Sequence, residues 1–343
     1  PNEPRVIYDS AARSAVDALT GDARAAALQL AQQTQWRNKA VSDLYEPGSV
    51  FKLITCAAAL DTGAVSKHST FYCGESISVA GTRFHCANHK RHGAQTVTQA
   101  LENSCNQSFI QIGARLGKEA FCDYFAAFGL REPTGIDLPA EPKKSLYYTA
   151  DRMGPVELAS CAFGQSSKIS YLEMASAAVV NGGRLMQPYL VSDILNPDGT
   201  TLQHIDPVCK RQVIKAETSA TMREMMEAVV LYGGGRNAQI PGYRVGGKSG
   251  TSQKLDSADE KARIASFVAV APIDDPQFLC LVCLDEPHSW TTAGGSLSAP
   301  VCAEVLEQTL VYKGIPRAAM EESADSAQTL ADLPADGDSF DGV

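Results

Sequence analysis

A serine and a lysine three residues apart are the first side chains that could carry chemistry together. Ser49 and Lys52 follow Pro47-Gly48, where a helix is predicted to begin. Residues three apart share one face of a helix, so the Lys52 amine would lie beside the Ser49 hydroxyl. An amine whose pKa is lowered by burial can take the serine proton and create a nucleophile. A helix cap followed by a surface lysine is the alternative, and the tetrapeptide alone leaves it open.

A second short motif combines a hydroxyl with an amide. Ser104 and Asn106 stand two apart in Ser104-Cys105-Asn106, on a loop or a helix turn. The hydroxyl could relay a proton, and the amide could hold a substrate carbonyl. Ordinary loop polarity would give the same tripeptide, so the motif is weak by itself.

A third motif, at residues 248–251, leads into the half of the chain that is rich in β-forming residues. Lys248 supplies a positive charge, and Ser249 and Thr251 supply hydroxyls suited to a terminal carboxylate. Gly250 would let a substrate backbone lie close to an edge strand. Residues 242–249 also fit the phosphate-binding pattern Gly-x4-Gly-Lys-Ser. That pattern must open a helix, and the sequence after Ser249 is poor helix material, so a nucleotide site is disfavoured.

A cluster of cysteines and histidines precedes the second motif. Four of its side chains have donors suited to a tetrahedral zinc site: Cys73, Cys86, His89 and His92. A Cys73–Cys86 disulfide and a merely polar loop are the alternatives, and the sequence leaves all three open. A metal here would be structural, because serine chemistry gives it no catalytic task and requires no cofactor.

The composition limits the remaining function classes. The 343 residues are 44% hydrophobic and carry a net charge of −9, which indicates a folded chain and excludes nucleic acid as the main partner. No run of about 18 apolar residues is present, so no membrane span is predicted, and neither is a signal peptide. Five of the ten cysteines have apolar neighbours and are expected to be buried thiols in reducing surroundings: Cys56, Cys161, Cys280, Cys283 and Cys302.

The elements that must position these motifs change in type along the chain. A strand, turn and strand are predicted at 16–24, and helices at 47–63, 98–117, 218–232, 299–312 and, with breaks, 120–180. Residues 69–93 are expected to form a loop or small hairpin. Short strands at 244–250, 265–271 and 278–284 suggest an antiparallel meander. The order predicts an α/β sandwich with an inserted helical lobe.

Taken together, the three motifs match the S-x-x-K, S-x-N and K-[ST]-G set of penicillin-recognising serine enzymes. Residues 37–52 and 241–254 resemble class B penicillin-binding proteins, the monofunctional D,D-transpeptidases of cell-wall synthesis. The Ser-Cys-Asn motif is similar to that of the Firmicute division and sporulation branch. The resemblance implies the penicillin-binding/serine β-lactamase-like α/β (α+β) fold, with a central antiparallel sheet, flanking helices and an all-helical lobe. It implies a transpeptidase domain over 1–318 and an acidic tail or linker over 319–343, without the family's membrane anchor and pedestal.

The same resemblance implies a role for each site residue. Ser49 attacks the D-Ala-D-Ala carbonyl of a stem peptide, and Lys52 takes its proton. The others follow the family pattern: Ser104 and Lys248 serve the leaving amine, Asn106 holds the substrate amide, Ser249, Gly250 and Thr251 bind the carboxylate end, and the N–H groups of Ser49 and Thr251 form the oxyanion hole.

The implied partners are peptidoglycan stem peptides, β-lactams that acylate the same serine, and a membrane glycosyltransferase. The full-length protein is expected at the extracytoplasmic face of the membrane, with a role in division or in spore cortex synthesis. A serine β-lactamase or β-lactam sensor domain, and a non-catalytic scaffold of the cell-wall machinery, are the alternatives. A β-lactamase needs a deacylating base, and none is identifiable in the sequence.

Overall fold

The computed structural model describes residues 6–318 except positions 8, 144, 145, 178, 255, 256 and 258. The predicted acidic tail at 319–343 lies outside the described residues. The α-helices are α1 Ser10–Asp17, α2 Gly21–Trp36, α3 Lys39–Ser42, α4 Lys52–Asp61, α5 Val97–Glu102, α6 Asn106–Leu116, α7 Lys118–Ala127, α8 Pro155–Cys161, α9 Tyr171–Ser176, α10 Ala216–Leu231 and α11 Gly294–Tyr312. Single 3-10 turns span Gly48–Phe51, Ala87–His89 and Arg236–Ala238.

The strands pair only antiparallel, in one three-stranded sheet and several two-stranded ribbons within the described residues. Their bounds are β1 Leu44–Tyr45, β2 Thr70–Cys73, β3 Ile77–Val79, β4 Thr82–Phe84, β5 Gly93–Thr96, β6 Ile169–Ser170, β7 Arg184–Met186, β8 Asp193–Leu195, β9 Thr201–His204, β10 Cys209–Gln212, β11 Gly246–Gln253, β12 Arg263–Ala271 and β13 Phe278–Asp285. The ribbons are β1 with β6, β2 with β5, β3 with β4, β7 with β10 and β8 with β9.

The three-stranded sheet has the order β11-β12-β13, and its middle strand is buried on both faces. Successive side chains of a strand point to opposite faces. Val268 and Val270 accordingly join the hydrophobic core that includes α4 to α7, whereas Phe267, Ala269 and Ala271 join the core beneath α11. The predicted central antiparallel sheet with flanking helices and a helical lobe is therefore confirmed.

The predicted strand, turn and strand at 16–24 is wrong. Both flanks are helical, and Thr20 in an extended conformation precedes the first turn of α2, which carries Asp22. The Ala-rich sequence of α2 favours a helix. Because none of its residues is buried, the helix has no need of an apolar face, and its sequence shows no apolar periodicity. The broken helices predicted over 120–180 correspond to most of α7 and to the short helices α8 and α9, with irregular backbone between them.

The other predicted elements are confirmed with shifted ends, except that the helix predicted over 98–117 is interrupted at 103–105 and forms α5 and α6. The strand predictions correspond to β11, β12 and β13, and the loop at 69–93 contains the predicted hairpin as β3 and β4. Helix α11 begins at Gly294, five residues before the predicted start. A Cβ at Gly294 would collide with the backbone oxygens of Ser266 and Gly250, so this helix start lies directly against the sheet.

Candidate active site

The three sequence motifs converge on one cleft of about 520 Å³. Its lining comes from the 3-10 turn before α4, the turn before α6, the middle of β11, the start of α11 and the neighbouring loops. The motif residues in the lining are Ser49, Ser104, Asn106, Ser249, Gly250 and Thr251. Lys52 and Lys248 are completely buried immediately beneath them.

The turn that carries Ser49 is fixed by a close backbone contact. Ser49 lies in the 3-10 turn that runs directly into α4, and the Gly48 N–H donates to the Gly164 carbonyl at 2.9 Å. Gly164 has φ +89°, and a Cβ there would collide with the Gly48 carbonyl. A side chain at 164 would therefore displace the nucleophile, which explains why this position is glycine.

Lys52 is the centre of the polar network. Its Nζ lies 3.0 Å from Ser49 Oγ, 3.3 Å from Ser104 Oγ, 2.7 Å from the Ser104 carbonyl and 2.7 Å from Asn106 Oδ1. Burial lowers the pKa of Lys52 from 10.5 to about 7, because the charged form loses its hydration. Near neutral pH a large share of the amine is therefore unprotonated and can accept the Ser49 proton.

Ser104 links the two buried lysines. Its Oγ accepts from Lys248 Nζ at 2.9 Å, opposite the contact with Lys52, and its backbone has φ +51°, unusual for a residue with a side chain. Burial, and then the charge of Lys52, hold the pKa of Lys248 well below its usual value. The two hydroxyls and two amines form a continuous hydrogen-bonded relay from Ser49 through Lys52 and Ser104 to Lys248, along which protons can move.

Asn106 is held in one orientation from two sides. It is the first residue of α6, its Oδ1 accepts from Lys52, and its Nδ2 donates to the His85 carbonyl at 3.2 Å. The amide plane is therefore set by Lys52 of the first motif and by the Cys/His loop together.

Strand β11 forms the opposite wall. A Cβ at Gly250 would lie 2.5 Å from Ser266 Oγ and 2.9 Å from Val50 Cγ2, so only glycine lets the strand reach the Ser49 turn. Thr251 Oγ1 accepts from the Gly294 N–H at 3.3 Å. Lys248 and Ser249 lie within β11 and do not open a helix, so the phosphate-binding alternative does not fit the structure.

Several residues in the cleft had no predicted role. Arg236 and Lys90 bring positive charge to its lining, and Asn237 Nδ2 donates to the Gly295 carbonyl at 2.9 Å. Among the described residues that line the cleft, no aspartate or glutamate occurs. The run of three glycines before Arg236 was the only local signal, and a glycine run alone does not identify a binding wall.

The Cys/His cluster differs from its prediction in one member. Cys73, Cys86, His92 and Cys105 place one donor atom each within 4.8 Å of all the others, whereas His89 lies outside this group. Asn88 and His89 have positive φ, and the His89 ring packs beside that of His85, with centroids 4.6 Å apart. This turn directs His89 away from the sulfurs, and Cys105 from the second motif takes its place.

The thiols of the chain are free in the structure. Cys56, Cys161 and Cys302 are buried as predicted, whereas Cys280 and Cys283 are only partly buried. A hydrogen bond from Cys86, together with the Ser108 N–H at the start of α6, lowers the pKa of the Cys105 thiol to about 4. Reducing surroundings remain a prediction.

Comparison with known proteins finds one matching family model and several similar curated proteins. The penicillin-binding protein transpeptidase domain matches residues 10–307. Stage V sporulation protein D of Bacillus subtilis is 40% identical over 285 residues, which cover 81% of this chain and 44% of that protein. An FtsI-type peptidoglycan D,D-transpeptidase homologue of Mesostigma viride is 31% identical, covering 82% of this chain and 52% of that protein.

Solved structures give the same result. The D,D-transpeptidase domain from Eggerthella lenta superposes with a TM-score of 0.75 at 28% identity, covering 85% of this chain and 72% of that one. Penicillin-binding protein 3 of Mycobacterium tuberculosis, complexed with aztreonam, has a TM-score of 0.73 at 28% identity, covering 82% and 66%. The chain spans about half the length of the curated relatives it matches. Within its described residues, no helix is long and apolar enough to cross a bilayer.

Proposed function

Because the chain belongs to the penicillin-binding protein transpeptidase family, in its class B, sporulation-type branch, we propose that it cross-links peptidoglycan stem peptides through an acyl-enzyme on Ser49. One observation carries the proposal. A serine hydroxyl, two buried amines, a second hydroxyl and an amide from three distant segments form one hydrogen-bonded array at the floor of a cleft. This array is what an activated serine needs for acyl transfer.

Acylation begins with the neutral form of Lys52. Its Nζ takes the proton from Ser49 Oγ across the 3.0 Å contact, and the oxygen attacks the carbonyl between the two D-alanines. The N–H groups of Ser49 and Thr251 stabilise the resulting oxyanion. Ser104 then gives its proton to the leaving D-alanine amine and regains one from the two lysines that contact its Oγ.

Transfer completes the reaction. The amine of a second stem peptide attacks the acyl-enzyme carbonyl and loses its proton to the same relay. The ester bond to Ser49 then breaks, and the relay returns a proton to Ser49 Oγ. Before acylation, Ser249 and Thr251 bind the terminal carboxylate of the donor peptide, and Lys90 and Arg236 in the cleft lining add positive charge. β-Lactams present a similar carboxylate and a strained amide, and they acylate Ser49 in the same way.

The charge of the cleft favours a transpeptidase over a β-lactamase. A β-lactamase must activate a water molecule against the acyl-enzyme, a task suited to a carboxylate base. The lining contains no carboxylate among the described residues, so water attack lacks such a base. The acyl-enzyme would therefore persist until an amine acceptor arrives.

The substrate also determines where the protein works. Peptidoglycan lies outside the cell membrane, so we place the active site at the extracytoplasmic face. Its proposed role is in cell division or in spore cortex synthesis. A membrane glycosyltransferase that polymerises the glycan strands is the proposed partner, and co-purification of the full-length protein with such an enzyme would test this.

Covalent labelling tests the proposed chemistry. The protein is incubated with a fluorescent penicillin, and the adduct is located by intact mass and peptide mapping. We expect one adduct per chain, on Ser49, and no labelling of Ser49→Ala. Ser14→Ala, at an exposed serine of α1, is the matched control and should label normally. Equal labelling of Ser49→Ala and wild type, or an adduct on another residue, would contradict the proposal.

The second substrate is tested separately. With a D-Ala-D-Ala peptide donor and an amine acceptor, wild type should form the cross-linked product and release D-alanine. Rapid release of hydrolysed penicillin from the adduct would instead favour the β-lactamase alternative.

A further inference from the structure

We propose that Cys73, Cys86, His92 and Cys105 bind one Zn²⁺ ion in a structural Cys3His site beside the catalytic cleft. The site is separate from the acyl-transfer chemistry, and its test does not depend on that chemistry. Its four donors come from the end of β2, the segment after β4, the residue before β5 and the N-cap of α6.

The distances between donor atoms fit a tetrahedral ion. Cys73 Sγ lies 3.6 Å from Cys86 Sγ, Cys86 Sγ lies 3.6 Å from Cys105 Sγ, and Cys73 Sγ lies 3.3 Å from His92 Nδ1. Zn–S bonds of about 2.3 Å and Zn–N bonds of about 2.0 Å at tetrahedral angles place sulfurs about 3.8 Å apart and sulfur and nitrogen about 3.5 Å apart. These three separations are close to those that zinc requires, and the other donor pairs lie within 4.8 Å.

The same distances do not favour one disulfide over another. Sulfurs in a disulfide are separated by about 2.0 Å. Cys86 is equally far from Cys73 and from Cys105, so neither pair is preferred, and either bond would leave a third buried thiol beside it. A metal ion uses all three sulfurs and the histidine together.

The chemistry of the donors selects zinc. Three thiolates and one imidazole form a soft, tetrahedral set typical of structural zinc. The Ser108 N–H donates to Cys105 Sγ at 3.4 Å, and an amide at a helix N-terminus favours the thiolate that the metal needs. In the bound site all three sulfurs are thiolates, any thiol proton still present is released to solvent on binding, and the site then carries one net negative charge.

Burial indicates a structural ion. Cys73 and Cys105 are fully buried and Cys86 is 5% exposed, and four protein donors leave no coordination position for a substrate. Cys105 lies between Ser104 and Asn106, while the carbonyl of His85 receives the Asn106 amide. The ion would therefore fix the loop around β3 and β4 against the start of α6, where the second catalytic motif lies.

The test begins with the metal content of protein purified without chelator, measured by plasma mass spectrometry. We expect about one zinc per chain, and X-ray absorption should show three sulfurs at about 2.3 Å and one nitrogen at about 2.0 Å. Cys105→Ser and His92→Ala should each lower the bound zinc by about tenfold or more.

Two matched variants isolate the site. His89→Ala removes the histidine that lies outside the cluster, and Cys122→Ser removes a buried thiol that instead contacts the Tyr148 carbonyl. Both should keep the zinc. If the ligand variants fail to fold, as judged by circular dichroism, stepwise chelation of wild type, followed by thiol titration, gives a second measurement. We expect three thiols to become reactive as the zinc is lost.

Three results would overturn the proposal. The first is wild-type protein that holds no zinc as purified and still binds none after reduction and exposure to zinc. The second is an intact mass lighter by two hydrogen atoms, with a mapped disulfide among the three cysteines. The third is bound zinc that His89→Ala removes and His92→Ala keeps.

Discussion

Under the proposed mechanism, the pKa of Lys52 determines how fast Ser49 can be acylated at a given pH. Burial lowers that pKa to about 7, so the base is active only in the fraction of molecules whose Lys52 has lost its proton. We expect the second-order rate constant for penicillin acylation to rise with pH and to level off above an inflection near 7. Below the inflection the rate should fall about tenfold per pH unit.

The lowered pKa of Lys52 also determines how much neutral amine is present at pH 7. An amine with the ordinary pKa of 10.5 would be neutral in about one molecule in 3,000 at pH 7, whereas a pKa of about 7 makes about half of the molecules neutral. Burial therefore raises the population of active base by about a thousandfold. Lys52→Arg keeps the positive charge but cannot deprotonate, so it should lose about 10³-fold or more in acylation rate and also lose the inflection.

The assay is single-turnover labelling with a fluorescent penicillin from about pH 5.5 to 9, well inside the range where a general base of pKa near 7 changes state. Lys313→Arg, at an exposed lysine after α11, is the matched control and should retain the wild-type profile. Circular dichroism establishes that each variant is folded across the range. A flat wild-type profile, or a Lys52→Arg rate within about tenfold of wild type, would refute Lys52 as the base.

Two further predictions concern stability. Because Lys52 has a lower pKa folded than unfolded, its burial penalty is full at pH 7 and below and disappears as the pH rises toward 10.5. Urea unfolding should therefore show the stability of wild type, relative to Lys52→Met, increasing by about 1 kcal/mol per pH unit between those values; a pH-independent difference would contradict the lowered pKa. Gly250→Ala should lower the free energy of unfolding by about 1–3 kcal/mol, since its Cβ would lie 2.5 Å from Ser266 Oγ, and should slow acylation; an unchanged melting curve would show that the Ser49 turn can retreat without cost.

The sheet was predictable because its central strand is buried on both faces. Such a strand produces a nearly continuous apolar run, and β12 provides one that is unbroken over residues 267–271. Helix α2 was not predictable by the same reasoning, because it buries none of its residues and shows no periodicity. Pairings such as β1 with β6 join segments more than 120 residues apart, and no local pattern encodes them.

The convergence of the three motifs was predictable from their order, whereas the surroundings of the array were not. Ser49, Lys52, Ser104, Asn106 and Lys248 lie as the family pattern implied. The Cys/His cluster was predicted with His89 because its imidazole is as suitable a zinc donor as that of His92. The positive φ values of Asn88 and His89 reverse the direction of that side chain, and only the fold brings Cys105 to the sulfurs.

The carboxylate-free lining of the cleft has a pharmacological consequence. Under the proposed function, with no carboxylate among the described lining residues to activate water, each antibiotic molecule that acylates Ser49 is expected to remove one enzyme molecule from service, so inhibition follows stoichiometry and not equilibrium. Candidate drugs against this protein are then best ranked by how quickly they react. Dose requirements should follow the number of enzyme copies per cell and the pace of their replacement.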